Sequence, residues 1–347
     1  MSRKIEILEK YPVLGICGCS GAGKTTLIEA LILLLRRRRL RVVVVKHDAR
    51  NVCIDVPGKD SYRFFEAGAD VSLFGQDSFD RRHQQGDFIA FIIELCQRYD
   101  VVLVEGHAKT PVPKIWLLED GAAVPPENMG RVHEILARDH ATPTQVFRFV
   151  ESFLERIVTA VPVWGCVLIG GKSQRMGRPK HLIERKTKTW LEHAVDTLTP
   201  FVDQVVLSGD GSIPASLHGL SRLPDASGLA GPMAGILAVM RWQPAVSWLV
   251  MACDLPCIKP ESLQWLLEQR GPGIDAIMPD LEGAGRIEPL LAWYGYRCRL
   301  HLERFAVINN LKMSSLSSCP GVFHLQPPAD IRGSWRNVNT PDELNAL

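Results

Sequence analysis

Two glycine-rich segments of the chain carry residue types that bind phosphate groups. The first, residues 18–25, matches the pattern G-x-x-x-x-G-K-[ST] at every fixed position. Glycines in this pattern let backbone N–H groups turn toward phosphate oxygens, Lys24 places an ammonium group on the β- and γ-phosphates, and Thr25 offers a hydroxyl to Mg²⁺. We predict a nucleotide site that comprises Gly18, Gly21, Gly23, Lys24, Thr25 and Thr26.

A P-loop of this kind also needs an acidic group near the metal ion. Glu105 directly follows the apolar run 101–104, and the carboxyl end of a buried parallel strand is where doubly wound sheets hold their ligands. We therefore predict Glu105 as a Mg²⁺ ligand. Asp48 and Asp55 lie in polar segments and are further candidates, although a solvated loop position explains each of them equally simply.

The second glycine-rich segment, residues 168–180, is not a P-loop. Gly170 and Gly171 follow an apolar run, and paired glycines allow a nucleotide to approach the backbone. Arg175 and Lys180 then bring a bidentate and a compact cation within reach of a triphosphate. Because a basic loop is usually only solvated, this prediction depends on the acidic partners of the loop.

Those partners follow other predicted strands. Asp254 comes just after the apolar run 248–252, and a carboxylate at the edge of a sheet is a natural Mg²⁺ ligand. Asp225 is another acid, and a tight glycine turn at 231–235 follows it. Asn339 is a candidate for contact with a bound group, and the alternative for it is a helix N-cap before Pro341.

Apolar strands must position these residues. Each glycine-rich loop lies between such a strand and an amphipathic helix. The predicted strands are 13–17, 41–45, 101–104, 165–169, 204–207, 248–252 and 276–278, and the predicted helices are 25–39, 144–158 and 190–198. Continuous apolar runs are typical of strands covered on both faces by helices. We therefore predict an α/β chain with two domains, residues 1–160 and 161–347.

Length and composition agree with this organisation and exclude several classes of protein. The chain has 347 residues, of which 46% are hydrophobic and 22% charged, with 40 Lys and Arg against 38 Asp and Glu. Disorder and a nucleic-acid coat are therefore not expected. Neither a membrane span nor a secretory signal is expected, and the nine scattered cysteines are typical of reduced thiols, so we expect a cytoplasmic protein.

The first half, from about residue 11 to 130, resembles the MobB-type GTP-binding adapter of molybdenum cofactor biosynthesis. The P-loop and the segments 44–48, 55–70 and 101–115 carry this resemblance. It implies a P-loop NTPase fold that binds and slowly hydrolyses GTP while it supports the second half. The chain departs from the family at 48–51, where a histidine-rich patch is absent, and after Gly130, where it is shorter.

The second half, from about residue 163 to 347, resembles the MobA-type molybdenum cofactor guanylyltransferase. The segments that carry the resemblance are 168–180, 224–225, 231–235, 252–256, 287–294 and 337–344. It implies a Rossmann-like nucleotidyltransferase fold with a mostly parallel sheet. Both halves are then expected to have a three-layer α/β/α architecture. The GTP-binding residues it implies are Leu168, Gly170, Gly171, Lys180, Asp225 and Asp254, and it places Mg²⁺ on Asp254.

The reaction implied by this resemblance is transfer of GMP from GTP to the terminal phosphate of molybdopterin, with Lys180, Arg175 and Asp254 as catalytic residues and Asn339 near the substrate. The chain has Pro179 where the family has Asp, and Ser208 where the family has Asn. His181, beside the loop lysine, is interpreted as incidental rather than as a base, since a phosphate nucleophile is already ionised at neutral pH.

Three alternatives stay open at this point. They are a molybdopterin cytidylyltransferase, a nucleotidyltransferase for a sugar phosphate, and a P-loop regulatory GTPase or chaperone with an inactive transferase half. The guanine assignment rests on the resemblance of Gly170, Gly171 and the 231–235 turn to the guanylyl branch. Besides GTP and molybdopterin, the resemblance implies a molybdenum-insertion protein and acceptor molybdoenzymes or their chaperones as candidate partners. Oligomeric state is open, with a dimer through the first domain as one arrangement.

Overall fold

The chain forms two compact α/β units, residues 1–154 and 155–347. The computed structural model describes residues 8–19, 21–46, 58–74, 77–81, 87–118, 125, 131–137, 141–169, 179–185, 187–283, 285–338 and 343. One helix, Pro143–Ala160, crosses the division between the units. The predicted domain boundary near residue 160 therefore stays a prediction.

The first unit is built on a parallel sheet with the strand order β2-β5-β1-β6-β7. Its strands are β1 Val13–Gly18, β2 Val42–Lys46, β3 Val71–Phe74, β4 Ser78–Arg81, β5 Val101–Glu105, β6 Lys114–Leu118 and β7 Val132–Ala137. Its helices are α1 Lys24–Arg37, α2 Asp60–Glu66, α3 Phe88–Arg98 and α4 Pro143–Ala160. Strands β3 and β4 form a separate antiparallel pair.

Helices pack against the central apolar strands of this sheet. Val102 and Val104 of β5 pack with Ile92 and Cys96 of α3 in one cluster. Helix α1 buries an apolar stripe of its own, made of Leu27, Ile28, Leu31 and Leu35. The P-loop lies between β1 and α1, so this packing fixes both sides of the loop.

The second unit has a seven-stranded sheet in which β15 alone runs against its neighbours, with the order β12-β11-β8-β13-β15-β14-β16. The strands of the unit are β8 Val163–Leu168, β9 Glu184–Arg185, β10 Lys188–Thr189, β11 Gln204–Ser208, β12 Ser221–Leu223, β13 Ser247–Ala252, β14 Ala276–Ile277, β15 Leu291–Tyr294 and β16 Val322–Phe323. Strands β9 and β10 form a separate antiparallel pair. The helices are α5 Trp190–Leu198, α6 Pro232–Trp242, α7 Pro260–Glu268 and α8 Cys298–Val307.

Two separate apolar cores cover the two faces of this sheet. Alternate residues of β13 belong to different cores: Leu249 and Met251 pack with α5 and α7, whereas Trp248 and Val250 pack with α6 and α8. Successive side chains of a strand point to opposite faces, so this division is a direct consequence of the strand period. The predicted three-layer arrangement with mostly parallel sheets is confirmed.

The predicted elements lie within a few residues of the observed ones. Helix α5 has the predicted bounds, because Thr189 and Glu192 form a capping box at its start. Strand β8 begins at Val163, two residues before the predicted start. Along the part of the chain that the structure describes, no helix is long and apolar enough to cross a membrane.

The close packing of α5 on β8 predicts that Gly165 does not tolerate a side chain. A Cβ atom there would lie 2.4 Å from Cδ2 of Leu198, and Leu198 is fully buried. We expect Gly165→Ala to lower the free energy of unfolding by about 1–3 kcal/mol, the usual cost of overpacking, in urea denaturation. Gly219→Ala is the control because no atom lies within 4 Å of its Cβ position; equal stabilities of the two variants would contradict the prediction.

Candidate active site

The P-loop of the first unit begins at the carboxyl end of β1 and ends at the start of α1. At Gly18 a Cβ atom would lie 2.4 Å from the carbonyl oxygen of Leu117, so only glycine fits there. Gly23 precedes α1 with φ at 81°, a left-handed conformation that also favours glycine. Gly21 also has a positive φ, 88°, so the loop's geometry favours glycine at all three predicted positions. Gly21 and Thr26 are exposed.

Lys24 and Thr25 of this loop have different partners. Nζ of Lys24 donates to the carbonyl oxygens of Gly18 at 3.1 Å and Cys19 at 2.6 Å, so the ammonium group lies against the loop itself. Oγ1 of Thr25 donates to Oε1 of Glu105 at 2.8 Å. The predicted hydroxyl and carboxylate are thus adjacent, and both offer the oxygen atoms that Mg²⁺ prefers.

A lysine of the neighbouring strand, Lys46, also approaches Glu105. Lys46 ends β2 and is paired in register with Glu105, and its Nζ lies 3.9 Å from Oε2 of Glu105. The sequence analysis did not single out this lysine. Its strand position could have shown it, because the carboxyl ends of adjacent parallel strands meet at one edge of the sheet.

In the second unit the structure brings Lys180 and Asp254 together at the carboxyl edge of the sheet. Nζ of Lys180 lies 2.8 Å from Oδ2 of Asp254, and the two side chains are 17% and 20% exposed. Asp254 follows β13, which is paired in parallel with β8, the strand before the second glycine-rich loop. A charged pair that is partly shielded from water interacts more strongly than one on the surface.

The backbone turn that carries Lys180 is held on two sides. Nε2 of His181 lies 2.9 Å from the carbonyl oxygen of Ser212, and because a carbonyl only accepts, Nε2 carries the hydrogen. On the other side, Ile183 packs with Trp190 and Val338. The N–H of Val338 donates to the carbonyl oxygen of Asp254 at 3.2 Å, so one cluster anchors both members of the charged pair.

The ring of His181 therefore connects the Lys180 turn to the loop after β11, and its Nε2, which donates in this contact, is not available as a base. Gly211 of that loop has φ at 137°, and a Cβ there would lie 3.2 Å from Cε1 of His181. Pro179 accepts the N–H of Leu182 at 3.1 Å and so begins the turn. The departure at Pro179 is thus compatible with the position of Lys180.

A second group of predicted residues converges on the first turns of α6. A Cβ atom at Gly235 would lie 2.8 Å from Cδ2 of Leu168, 2.9 Å from Oγ of Ser208 and 3.3 Å from Oδ1 of Asp225. Oγ of Ser208 donates to the carbonyl oxygen of Gly235 at 3.2 Å. The hydroxyl is thus committed to the helix, and Leu168 and Asp225 are the predicted nucleotide residues at this place.

The pKa values of two carboxylates in the second unit, Asp225 and Glu288, are raised. The pKa of Asp225 is raised, first because its carboxylate is partly desolvated and second because Asp210 is close. The pKa of Glu288 is raised by burial and, more weakly, by Asp254, whereas Arg286 acts in the opposite direction. Glu288 is thus a neighbour of Asp254 that the sequence analysis missed. Segment 287–294 was part of the resemblance, and no role was assigned to this carboxylate.

Several predicted residues lie outside the described part of the chain. They are Gly170, Gly171, Arg175, Asn339, Asp48 and Asp55. Their roles stay predictions. Within the described residues, the buried Oδ1 of Asn337 has no hydrogen-bond partner, and Asn337 precedes Val338, which contacts Asp254.

These two sites define the class of the protein: a P-loop nucleotide-binding domain followed by a nucleotidyltransferase of the α/β type. The family model of the MobA-like NTP transferase domain matches residues 165–317, and that of molybdopterin guanine dinucleotide synthesis protein B matches residues 13–137. The chain belongs to the molybdenum cofactor guanylyltransferase family, with a MobB domain joined to a MobA-like domain.

Two relatives by sequence agree with this assignment. A "Probable molybdenum cofactor guanylyltransferase" of Bacillus mycoides is 31% identical over 188 residues, which are 52% of this chain and 92% of the relative. A "Molybdenum cofactor biosynthesis bifunctional protein" of Synechocystis is 34% identical over 198 residues, 55% of each chain. The crystal structure of molybdopterin-guanine dinucleotide biosynthesis protein A from Archaeoglobus fulgidus is 28% identical, covers 53% of this chain and 95% of its own, and has a TM-score of 0.46.

The contacts around Gly235 predict that this position controls nucleotide binding in the second domain. In Gly235→Ala the new methyl group would press on Leu168, Ser208 and Asp225. We expect the affinity for a nucleoside triphosphate to fall roughly tenfold, about 1.4 kcal/mol. Calorimetric titration would measure it in a Lys24→Ala background, which removes the first site from the signal. Gly333→Ala is the control, as its Cβ position is open. Unchanged affinity in Gly235→Ala would count against a nucleotide at this place.

Proposed function

We propose that the second domain transfers GMP from GTP to the terminal phosphate of molybdopterin, producing molybdopterin guanine dinucleotide and pyrophosphate. The observation that carries this proposal is the contact between Lys180 and Asp254 at the carboxyl edge of β8 and β13. Membership of the family and the convergence of Leu168 and Asp225 at Gly235 support it.

The residues at this edge suit a transfer between two anions. A phosphate oxygen of molybdopterin would form a bond to the α-phosphorus of GTP, and the bond from that phosphorus to the bridging oxygen would break, with pyrophosphate taking the electron pair. Lys180 would hold the phosphates and offset the charge that develops on the leaving group. No protein nucleophile is needed, so positioning and charge are the main contributions of the chain.

The donor atoms at this edge also fit a magnesium ion. Mg²⁺ keeps several waters and takes one or two carboxylates together with substrate phosphates. Asp254 offers a carboxylate that is 20% exposed, and in the described residues no group of three or more His, Cys, Asp or Glu forms a dedicated metal cage. A bound Mg²⁺ would supply Lewis-acid charge to the phosphates. Asp254 would hold it, and Lys180 would then turn from Asp254 toward the substrate.

The first domain, in this proposal, binds GTP at the P-loop and hydrolyses it slowly. Lys24, now hydrogen-bonded to carbonyl oxygens of its own loop, would turn to the phosphates when they bind, because a charged partner is stronger than a neutral carbonyl. Thr25 and Glu105 are the candidate holders of its Mg²⁺. One chain with both domains keeps them at a high effective concentration.

The choice of substrates separates the proposal from its alternatives. Pyrophosphate release would be measured with GTP or CTP as donor, and with molybdopterin or sugar 1-phosphates as acceptor. We expect release with GTP and molybdopterin only. Release with CTP would support the cytidylyl alternative, release with a sugar phosphate the second alternative, and release with none of them an inactive transferase half.

Removal of the Asp254 carboxylate tests the second site. We expect Asp254→Ala to lower dinucleotide formation roughly a thousandfold, because the metal would lose its protein ligand and Lys180 its fixed position. Product would be measured by chromatography at saturating GTP. Asp196→Ala is the matched control, since this exposed carboxylate likewise pairs with a lysine, Lys188. Transfer within tenfold of the wild-type rate would overturn the metal assignment.

Removal of the P-loop lysine tests the first site. We expect Lys24→Ala to reduce the number of GTP molecules bound per chain from two to one, since the phosphates lose their cation, while dinucleotide formation persists. Calorimetric titration of the full chain gives the stoichiometry. Asp254→Ala serves as the reciprocal variant, and loss of transfer in Lys24→Ala would show that the two domains depend on one another.

A further inference from the structure

One lysine of the first domain is completely buried, and the proposed reaction does not use it. Lys114 begins β6 and is 0% exposed. Lysine is almost never fully buried unless its ammonium group is paired, because the charge loses its hydration. In agreement with this cost, burial lowers the pKa of Lys114. A residue kept under such a penalty is expected to organise the structure around it.

The ammonium group of Lys114 holds the crossover loop, residues 106–113, which joins β5 to β6. Its Nζ donates to the carbonyl oxygens of Ala108 at 2.7 Å and Thr110 at 2.8 Å. Parallel strands are usually joined by longer crossovers that contain a helix, whose internal hydrogen bonds satisfy the backbone. Because this crossover is short, the side chain of Lys114 instead satisfies two of its backbone carbonyl groups.

The same loop is attached to the strand that leads into the P-loop. Sγ of Cys17 donates to the carbonyl oxygen of Gly106 at 2.9 Å, and the N–H of Gly106 donates to the carbonyl oxygen of Ile16 at 3.1 Å. Strand β1 lies between β5 and β6 in the sheet, so the crossover loop must pass β1. A shift of this loop would therefore displace the end of β1, where the P-loop begins.

The loop also begins directly after the acid of the first site. Glu105 is the last residue of β5 and accepts a hydrogen bond from Thr25, and Gly106 is the first residue of the crossover loop. Burial raises the pKa of the Cys17 thiol, and the nearby ammonium groups of Lys114 and Lys24 both act in the opposite direction. The buried lysine is thus part of the immediate surroundings of the P-loop.

We propose that Lys114 is a positioning residue for the nucleotide site of the first domain: it fixes the crossover loop so that Glu105 stays within reach of Thr25. This inference rests on the proposed binding of GTP by that domain. Because Lys114 acts through Glu105, it affects the Mg²⁺-linked part of nucleotide binding more than the part that is due to the P-loop alone.

The first test follows the loop without any nucleotide. Hydrogen exchange of the backbone amides 106–110 would be measured by mass spectrometry in the full chain. We expect Lys114→Met to raise the exchange rates of these amides at least tenfold, because the carbonyls of Ala108 and Thr110 lose their donor. Lys259→Met is the control, since Lys259 likewise donates to a carbonyl, that of Asp330, in the second domain. Unchanged exchange in Lys114→Met would overturn the proposal.

The second test measures binding of a fluorescent GTP analogue with Mg²⁺ and with EDTA, in an Asp254→Ala background that leaves the first site. We expect Lys114→Met to weaken binding roughly tenfold with Mg²⁺ and less than threefold with EDTA. In combination with Glu105→Gln, which already removes the acid, Lys114→Met should add little. An equal loss with and without Mg²⁺, or full additivity with Glu105→Gln, would show that Lys114 does not act through Glu105.

A milder variant keeps the test decisive if Lys114→Met does not fold. Lys114→Gln retains one amide donor, and we expect its effects to fall between those of the wild type and Lys114→Met in both measurements. If the wild-type chain binds no GTP at the first site, the proposed function of that domain fails, while the hydrogen-exchange result still decides whether Lys114 positions the crossover loop.

Discussion

The concentration of negative charge in a small volume is the constraint on which this architecture depends. Holding phosphates at one place requires cations and backbone N–H groups that are fixed before the ligand arrives. In the second domain the contact between Lys180 and Asp254 joins segments that are 74 residues apart. That contact depends on the parallel pairing of β8 with β13, because this pairing brings the ends of both strands to one edge.

The two domains meet this constraint with the same edge of a parallel sheet and with different partners for the lysine. Lys24 bonds to carbonyl oxygens of its own loop, and the acid Glu105 is bonded to Thr25 instead. Lys180 is bonded directly to the acid Asp254. In the first domain the P-loop lysine and the acid are thus held separately, whereas in the second the loop lysine and the acid position each other.

Much of this organisation was predictable because strands and their ends follow local rules. Lys180 and Asp254 were found from a glycine-rich loop and an apolar run that ends in an acid. His181 and Lys114 were not assigned a role, because their partners are backbone carbonyls, and every residue has a carbonyl. Glu288 was missed since its position depends on the direction of β15, and an apolar run such as 291–294 is the same in either direction. The contacts of these three residues therefore depend on burial and on the pairing of distant strands, which local sequence patterns do not show.

The reversed direction of β15 has a consequence for how such a site changes in evolution. The start of this strand, rather than its end, lies at the edge that holds Asp254, since Met251 is paired with Leu291. Glu288 therefore belongs to the connection 278–290 between the antiparallel strands β14 and β15. Insertions and substitutions in that connection would change the surroundings of Asp254 while the parallel pairing of β8 with β13 is kept, so that one part of this edge can diverge independently of the other.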